Sequence, residues 1–448
     1  MRELLLNLIV LLLGVGALVS PRIGLFGYFW FALLRPDVLA WAYGENRYSM
    51  ALAAATLLGC ARLIPFGVLN GFRNPIVLSL LALQIPVGLS VVFAVNINLA
   101  LTPWTNFLKM IMMVLLIPIV IQDRQMLRQF IILMGLSIGV LGAKFGVFGM
   151  FHGGVRFMHG YGGFMSENNS LALGLLMGVP LCWYGRRLVT ARWLKALLIF
   201  CAVSSLAGII MCHSRGVTLT MACVFLLIAR HAKRKIGVIL LIGLVALPPI
   251  LLVQDSFVSR MSTLGDPLAD DSAASRITFA KAALRVWLDY PLFGVGFGFR
   301  NYQALAPHYV GYQTKAVVHN SYLQILADSG IFGFLIFTGM VWGTIWWLGR
   351  LIKKFEALDP EMAHIAMAIR VSLFAFAVGS LFGSRLHFDF LYMLLMSAAC
   401  VYSIRRSEST HAEAKTSVAS IAAPTLQPEP QPQFRLAWNP GGGPRGRS

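Results

Sequence analysis

The chain has 448 residues, 58% of them hydrophobic and 12% charged, with a mean hydropathy of +0.73. Soluble domains carry about a quarter charged residues, so the composition excludes an ordinary soluble enzyme, and apolar runs of about 20 residues recur along the whole length. The net charge of +19 sits in short Lys/Arg clusters between those runs, the pattern of cytoplasmic loops and not of a nucleic-acid-binding face.

Apolar runs fall at residues 4–20, 23–43, 48–66, 76–95, 105–122, 129–150, 169–184, 194–212, 216–229, 236–253, 328–349, 362–383 and 388–404. The first, MRELLLNLIVLLLGVGALVS, lacks a small-x-small cleavage site before a soluble domain and reads as a retained span. The second carries Arg35-Pro36 in mid-run, which predicts a break into an interfacial or re-entrant piece. The expected fold is an all-α polytopic integral membrane protein of about 12 (11–13) transmembrane helices. Strands are not expected, because the runs are continuous where a barrel strand would alternate.

The basic clusters at 123–128, 185–195, 230–235, 350–355 and 405–407 all fall on one side of these spans, which makes that side cytoplasmic. The segments 151–168, 213–215, 254–327 and 384–387 then face outward. The chain divides into an N-terminal transmembrane region (1–122), central transmembrane helices (123–253), a long periplasmic loop (254–327), C-terminal transmembrane helices (328–404) and a disordered cytoplasmic tail rich in Pro, Gln, Gly and Ser (405–448). A connection as long as 254–327 is usually functional or disordered. Within it SRITFAKAALRVWLDYP (275–291) places Ile277, Ala280, Leu284, Trp287 and Leu288 at helical spacing and stops at Pro291. That pattern predicts an amphipathic helix lying on the membrane face and roofing the bundle. The run PLFGVGFGF (291–299) has GxGxG spacing but follows no strand, so it reads as a turn and not a dinucleotide fingerprint.

Chemistry gathers on the outward face. His319 stands at the mouth of an apolar helix in VVHNSYLQILADSGIFGF (317–334), with Asn320 beside it. Arg215 lies in a very short turn (SRG, 214–216), and Arg276 opens the amphipathic helix. An arginine at membrane depth costs about 2.5–3.5 kcal/mol on insertion scales and needs a partner or a task. Guanidinium forks match phosphate oxygens and stay charged, and a histidine can take a proton at neutral pH. Together they suit transfer of a group off a phosphate or diphosphate leaving group. Interfacial capping by His319 and snorkelling by Arg215 are the structural alternatives.

A second outward loop, RFMHGYGGFMSENNSLALGLLMGVPL (156–181), offers Glu167, Asn168 and Asn169 at the entrance of a span. They are candidate substrate-lining residues along with Asn320, although helix capping alone accounts for SENNS. SRLHFDF (384–390) adds Arg385, His387 and Asp389, of which Arg385 and Asp389 are candidate supporting groups behind the site. Lys109, Lys144 and Arg370 fall within predicted spans and need to snorkel or pair. The six cysteines form no CxxC pair, and no HExxH, DxD or carboxylate cluster has metal-ligand spacing, so neither a zinc site nor a catalytic metal is expected.

The succession of SRG, a long outward loop with SRI…W…DYPLFGVGFGF, and HNSYLQILADSGIFGFLIF resembles the O-antigen ligase and polymerase superfamily over about residues 160–345. More narrowly, the N-terminal 41 residues and SENNSLALGLLMGVPL resemble the exosortase-associated O-glycosylation ligases. The resemblance implies a bacterial inner-membrane enzyme, without cofactor or metal, working on the periplasmic side. Its donor would be an undecaprenyl-diphosphate-linked glycan and its acceptor a glycan, a lipid or a protein. It implies further that Arg215 and Arg276 hold the diphosphate, that His319 is the catalytic histidine activating the acceptor with inversion at the sugar carbon, and that Glu167 and Asn169 line the site. Lys315 beside His319 departs from that pattern and would favour the neutral ring. A repeat-unit polymerase is the nearest alternative. A lipid-linked glycan transporter is an alternative of another class, although no internal repeat supports it. A non-catalytic scaffold for envelope export is a third.

Overall fold

The computed structural model describes residues 2–40, 47–155, 157, 159–231, 271–312 and 317–422. The N-terminal group is α1 (Arg2–Val19), α2 (Pro21–Leu34), a single turn α3 (Pro36–Leu39), α4 (Tyr48–Cys60) and α5 (Ile64–Gly71). The break expected at Arg35-Pro36 is present: Arg35 is left-handed at φ 49°, ends α2 and pairs with Asp37 at 2.7 Å.

Then come α6 (Pro75–Val92), α7 (Ile97–Val120), α8 (Arg124–Phe151), a hairpin of β1 (His159–Gly162) and β2 (Met165–Glu167), α9 (Asn168–Gly185), α10 (Arg192–Met211) and α11 (Arg215–His231). The short hairpin corrects the expectation of no strands. It lies in a connection, where the demand that a span bond its backbone internally does not apply. Several helix starts are set by Asn or Asp caps. Asn74 Oδ1 accepts from the N–H groups of Ile76 and Val77, and Asp123 Oδ1 from that of Met126.

The chain continues with α12 (Asp271–Asp289), α13 (Arg300–Val310), α14 (Ser321–Leu358), α15 (Pro360–Gly379) and α16 (Asp389–Ala422). Among the described residues, seven segments are long and apolar enough to cross a membrane: Arg2–Val19, Pro75–Val92, Ile97–Val120, Arg124–Phe151, Arg192–Met211, Ser321–Glu356 and Pro360–Phe382. The run predicted at 236–253 and Lys315 lie outside the described residues. The chain forms two units, 1–404 and 405–448. The second, read from sequence as disordered, is helical as far as Ala422.

The core is centred on α9, apolar on every side and buried along almost its whole length between α8, α10 and α15. Along α8, glycines 135, 139, 142, 146 and 149 form one stripe against its neighbours. A Cβ on Gly146 would stand 1.9 Å from the Ser204 carbonyl, so α8 and α10 meet backbone to backbone. Of the cations predicted in spans, Lys144 lies 4.9 Å over the Tyr161 ring and Arg370 Nε donates to the Ile345 carbonyl at 3.2 Å.

The two ends of the bundle are built differently. At one, the basic start of α8 meets the start of α15 through Arg124–Asp359 (2.5 Å) and Arg128–Glu361 (3.1 Å). At the other meet the α6–α7 connection, the hairpin, residues 212–214, α12–α13 and residues 383–388. Val95 N–H donates to the Val295 carbonyl, Phe157 N–H to that of Met211, and His319 N–H to Ser384 Oγ.

The predicted roof helix is α12, but its inward face differs from the one read in the sequence. Phe279, Ala282, Ala283 and Val286 are buried, with Ala283 and Val286 packed on Val295, Tyr302, Ala306, Val318 and Ala327. Ile277, Leu284 and Leu288 are exposed at 41%, 41% and 66%. The helix carries two apolar stripes. The stripe of Phe279, Ala282, Ala283 and Val286 is buried against protein, and the stripe of Ile277, Leu284 and Leu288 faces away from it.

Residues 291–299 form a loop wrapped around the first part of α14. Val295 and Gly296 N–H donate to the carbonyls of Ala327 and Asp328, and the Pro291 carbonyl accepts from Ile331 N–H at 2.9 Å. The Asp328 side chain is buried, and its Oδ2 accepts from Gly298 N–H, Phe299 N–H and Gln324 Nε2 at 3.2, 3.0 and 3.2 Å. The loop interrupts α14: Gly330 has φ 67° and ψ −168°, separating a short helix (321–329) from the long span. A Cβ at Gly330 would lie 2.1 Å from the Leu292 carbonyl. Gly330→Ala combines that overlap with a strained backbone and should destabilise by about 2–4 kcal/mol, read as a lower thermal midpoint of the detergent-solubilised protein. A melt unchanged from wild type would show that the loop is not clamped there.

Candidate functional site

Residues from five parts of the chain converge at the second end of the bundle. The hairpin turns at Gly162-Gly163, both at positive φ, and delivers Glu167 to the head of α9. Ser214 caps α11, so that Arg215 is its first helical residue. The 383–385 segment is stitched to the head of α14: Ser321 Oγ donates to the Gly383 carbonyl at 2.7 Å and accepts from Arg385 N–H at 2.9 Å. His319 N–H, one step outside the helix, donates to Ser384 Oγ at 3.0 Å.

Two cavities result. The smaller, about 180 Å³, is lined by Asn168, Asn169, His213, Ser214, Arg215, Gly216, Val217, Arg276, Phe382 and Arg385. Three guanidiniums separated by up to 170 residues of chain thus share one small space, at the N-termini of α9 and α11, whose partial positive charges add to theirs. The charge of this space is therefore positive, of the sign an anion would require. Arg385 is buried, donates to the Gly379 carbonyl at 3.3 Å, and has no partner for Nε among the described residues. Burial pulls its guanidinium down to about 10, still protonated at neutral pH.

The larger cavity, about 610 Å³, is lined by Glu167, Ser166, Ser170, Asn106, Thr102, Gln324, Arg300, Arg385, His387 and Asp389, with Phe107, Phe164, Phe299 and Phe388 among its apolar walls. Arg385 belongs to both linings.

The sequence-predicted residues are therefore distributed as follows. Arg215, Arg276, Asn168 and Asn169 come together in the smaller cavity, and Glu167 and Asp389 in the larger. Arg385, expected behind the site, lines it directly. Asn320 lines neither cavity. Its Oδ1 caps α14 by accepting from Tyr322 and Leu323 N–H at 2.9 and 3.1 Å. His319 is half-buried and held in the left-handed region at φ 54°, a strain typical of positions fixed by function or packing. It lines neither cavity but lies within electrostatic reach of Arg276, Glu167 and Arg385, charges that belong to both. Burial, Arg276 and then Arg385 hold its ring below the ordinary histidine range, with Glu167 opposing them. The neutral ring, able to accept a proton, is the form present at pH 7.

Sequence reading passed over Gln324, Arg300 and Asn106, and grouped His387 only with Arg385 and Asp389 as supporting residues. Gln324 sits in the same HNSYLQ run as His319, and Arg300 directly follows the glycine loop, but no spacing rule marks either as lining a cavity.

Residues 200–338 match the family described as O-Antigen ligase, and residues 1–190 match one described as a family of unknown function (DUF5935). No curated protein matches the chain. The first match takes in Arg215, Arg276 and His319, and it supports the O-antigen ligase superfamily and a ligase-like transfer of glycan in a membrane.

The charge arrangement fixes the sign of two titrations. In ¹³C-histidine spectra of the reconstituted protein, Arg276→Gln should raise the His319 pKa and Glu167→Gln should lower it. Identical titrations in all three proteins would remove His319 from the field of the two cavities.

Proposed function

We propose that the protein is a membrane glycosyltransferase that moves a glycan from an undecaprenyl-diphosphate carrier to an acceptor hydroxyl on the periplasmic side. The observation that carries this reading is the convergence of Arg215, Arg276 and Arg385 on one small cavity, with a half-buried histidine of lowered pKa in their field. The guanidiniums take the diphosphate and offset the charge that grows on it as the bond from the sugar carbon to phosphate oxygen breaks. His319 accepts the proton of the attacking hydroxyl, and the lipid diphosphate leaves as an anion held by the arginines. Three guanidiniums do the neutralising work of a divalent cation, so the reaction is metal-independent. The periplasmic assignment rests on the basic clusters at 123–128, 185–195, 230–235, 350–355 and 405–407, which the sequence puts on one side of the spans as expected of a cytoplasmic face. The likeness of residues 1–41 and SENNSLALGLLMGVPL (166–181) to exosortase-associated O-glycosylation ligases favours a ligase, with glycan, lipid or protein as acceptor.

The test is release of undecaprenyl diphosphate from a lipid-linked glycan by the reconstituted full chain. His319→Ala should lower turnover by about 10²–10⁴-fold with the fold intact by thermal melt. Arg215→Lys, which keeps the charge but loses the fork, should retain more activity than Arg215→Ala. EDTA should have no effect. Equal turnover by wild type and His319→Ala would overturn the assignment of the base, and no release with any verified donor would overturn the reading itself.

A further inference from the structure

The larger cavity has an unusual polar inventory. Gln324 is buried, and its amide nitrogen is committed to Asp328 Oδ2 at 3.2 Å, which fixes the orientation of the side-chain amide. Its Oε1 is buried without a partner among the described residues. His387 repeats the pattern. Its ring faces the backbone of Pro103, whose carbonyl can only accept, while Nε2 is buried and has no partner among the described residues. With its single proton on Nδ1 toward that carbonyl, the neutral ring presents Nε2 as a lone pair. Burial holds the ring down to about 4, so it stays neutral across the physiological range. A buried acceptor left without a donor is destabilising, and two of them lie on the wall of one cavity, beside the carboxylates of Glu167 and Asp389. The rest of the wall mixes Arg300, Arg385 and small hydroxyl and amide side chains with Phe107, Phe164 and Phe388, which offer flat apolar faces.

We infer that the larger cavity receives a sugar ring whose hydroxyls donate hydrogen bonds to Gln324 Oε1 and His387 Nε2, the two side chains that position it. A ring with several hydroxyls, which both donate and accept, and an apolar C–H face matches a wall of buried acceptors, arginine and hydroxyl donors and phenyl groups. The inference rests on the reading of the smaller cavity as the diphosphate site, because it gives the neighbouring space to the carbohydrate. That ring is either the first sugar of the donor or a sugar of the acceptor. Both are hydroxylated, and the two are separated by competition.

The experiment is saturation-transfer NMR on the full chain in nanodiscs. The probes are the methyl glycosides of glucose, galactose, mannose and N-acetylglucosamine, with undecaprenyl diphosphate binding measured in parallel. Wild type should saturate the ring protons of at least one glycoside. Gln324→Met and His387→Phe, which keep bulk but remove the acceptor, should each weaken it by about five- to fiftyfold. Undecaprenyl diphosphate affinity within threefold of wild type shows that the variants are folded and that the loss is local. A glycoside signal that persists under saturating undecaprenyl-diphosphate-N-acetylglucosamine assigns the ring to the acceptor, and displacement assigns it to the donor. Binding of undecaprenyl diphosphate without any glycoside, or glycoside binding indifferent to both substitutions, overturns the inference alone. Failure of undecaprenyl diphosphate itself to bind overturns the reading on which it rests.

Discussion

One buried oxygen organises the end of the molecule where the cavities lie. Asp328 Oδ2 sits inside the bundle, where an acceptor without donors would be strongly destabilising. Its donors come from the loop after α12, and the loop can aim two successive N–H groups at one point only by passing through positive φ at Gly294, Gly296, Gly298 and Phe299. The third donor, Gln324, is thereby fixed as well. With the short helix 321–329 held in this way, its cap at Asn320 and the strained His319 just before it follow. The stitch through Ser321 then sets the position of Arg385. Roof, base and one guanidinium share a single anchor.

The same positive charges have two effects that act in opposite directions on the two substrates of the proposed reaction. Arg276 and Arg385 favour an anion in the smaller cavity and disfavour a proton on His319. A bound diphosphate cancels part of that field, so the ring becomes a stronger base when the donor is in place than when the site is empty. Such coupling discourages the base from acting on an acceptor before a donor has arrived.

Much of the fold was legible in the sequence, because a membrane span leaves a long apolar signature, and proline, asparagine and aspartate mark where it begins or breaks. Arg35-Pro36 was readable on those grounds. The face of α12 was not: with Ile277, Leu284 and Leu288 on one side and Phe279, Ala283 and Val286 on the other, helical period alone cannot tell which stripe meets protein. For the site, the residue types were readable and their grouping was not. Glu167 parts from Asn168 and Asn169 because the chain changes from strand to helix between them, directing neighbours into different cavities. Arg385 joins Arg215 and Arg276 only through tertiary packing. Gln324 and His387 acquire chemical meaning from what their other polar atom faces, and for His387 that is the Pro103 backbone, 284 positions away in the chain.

The interruption at Gly330 has a mechanical consequence. Unbroken, the 38 residues of α14 would make a rod of about 57 Å, nearly twice a typical hydrocarbon thickness of about 30 Å. A rod of that length must tilt, and its tilt would follow the thickness of the surrounding lipid. With the break, only the portion beyond Gly330 answers to the bilayer, and the nine residues before it take their direction from the glycine loop. His319 is thus geared to the protein and not to the membrane, and the span can lean as lipid composition changes without carrying the ring away from the arginines.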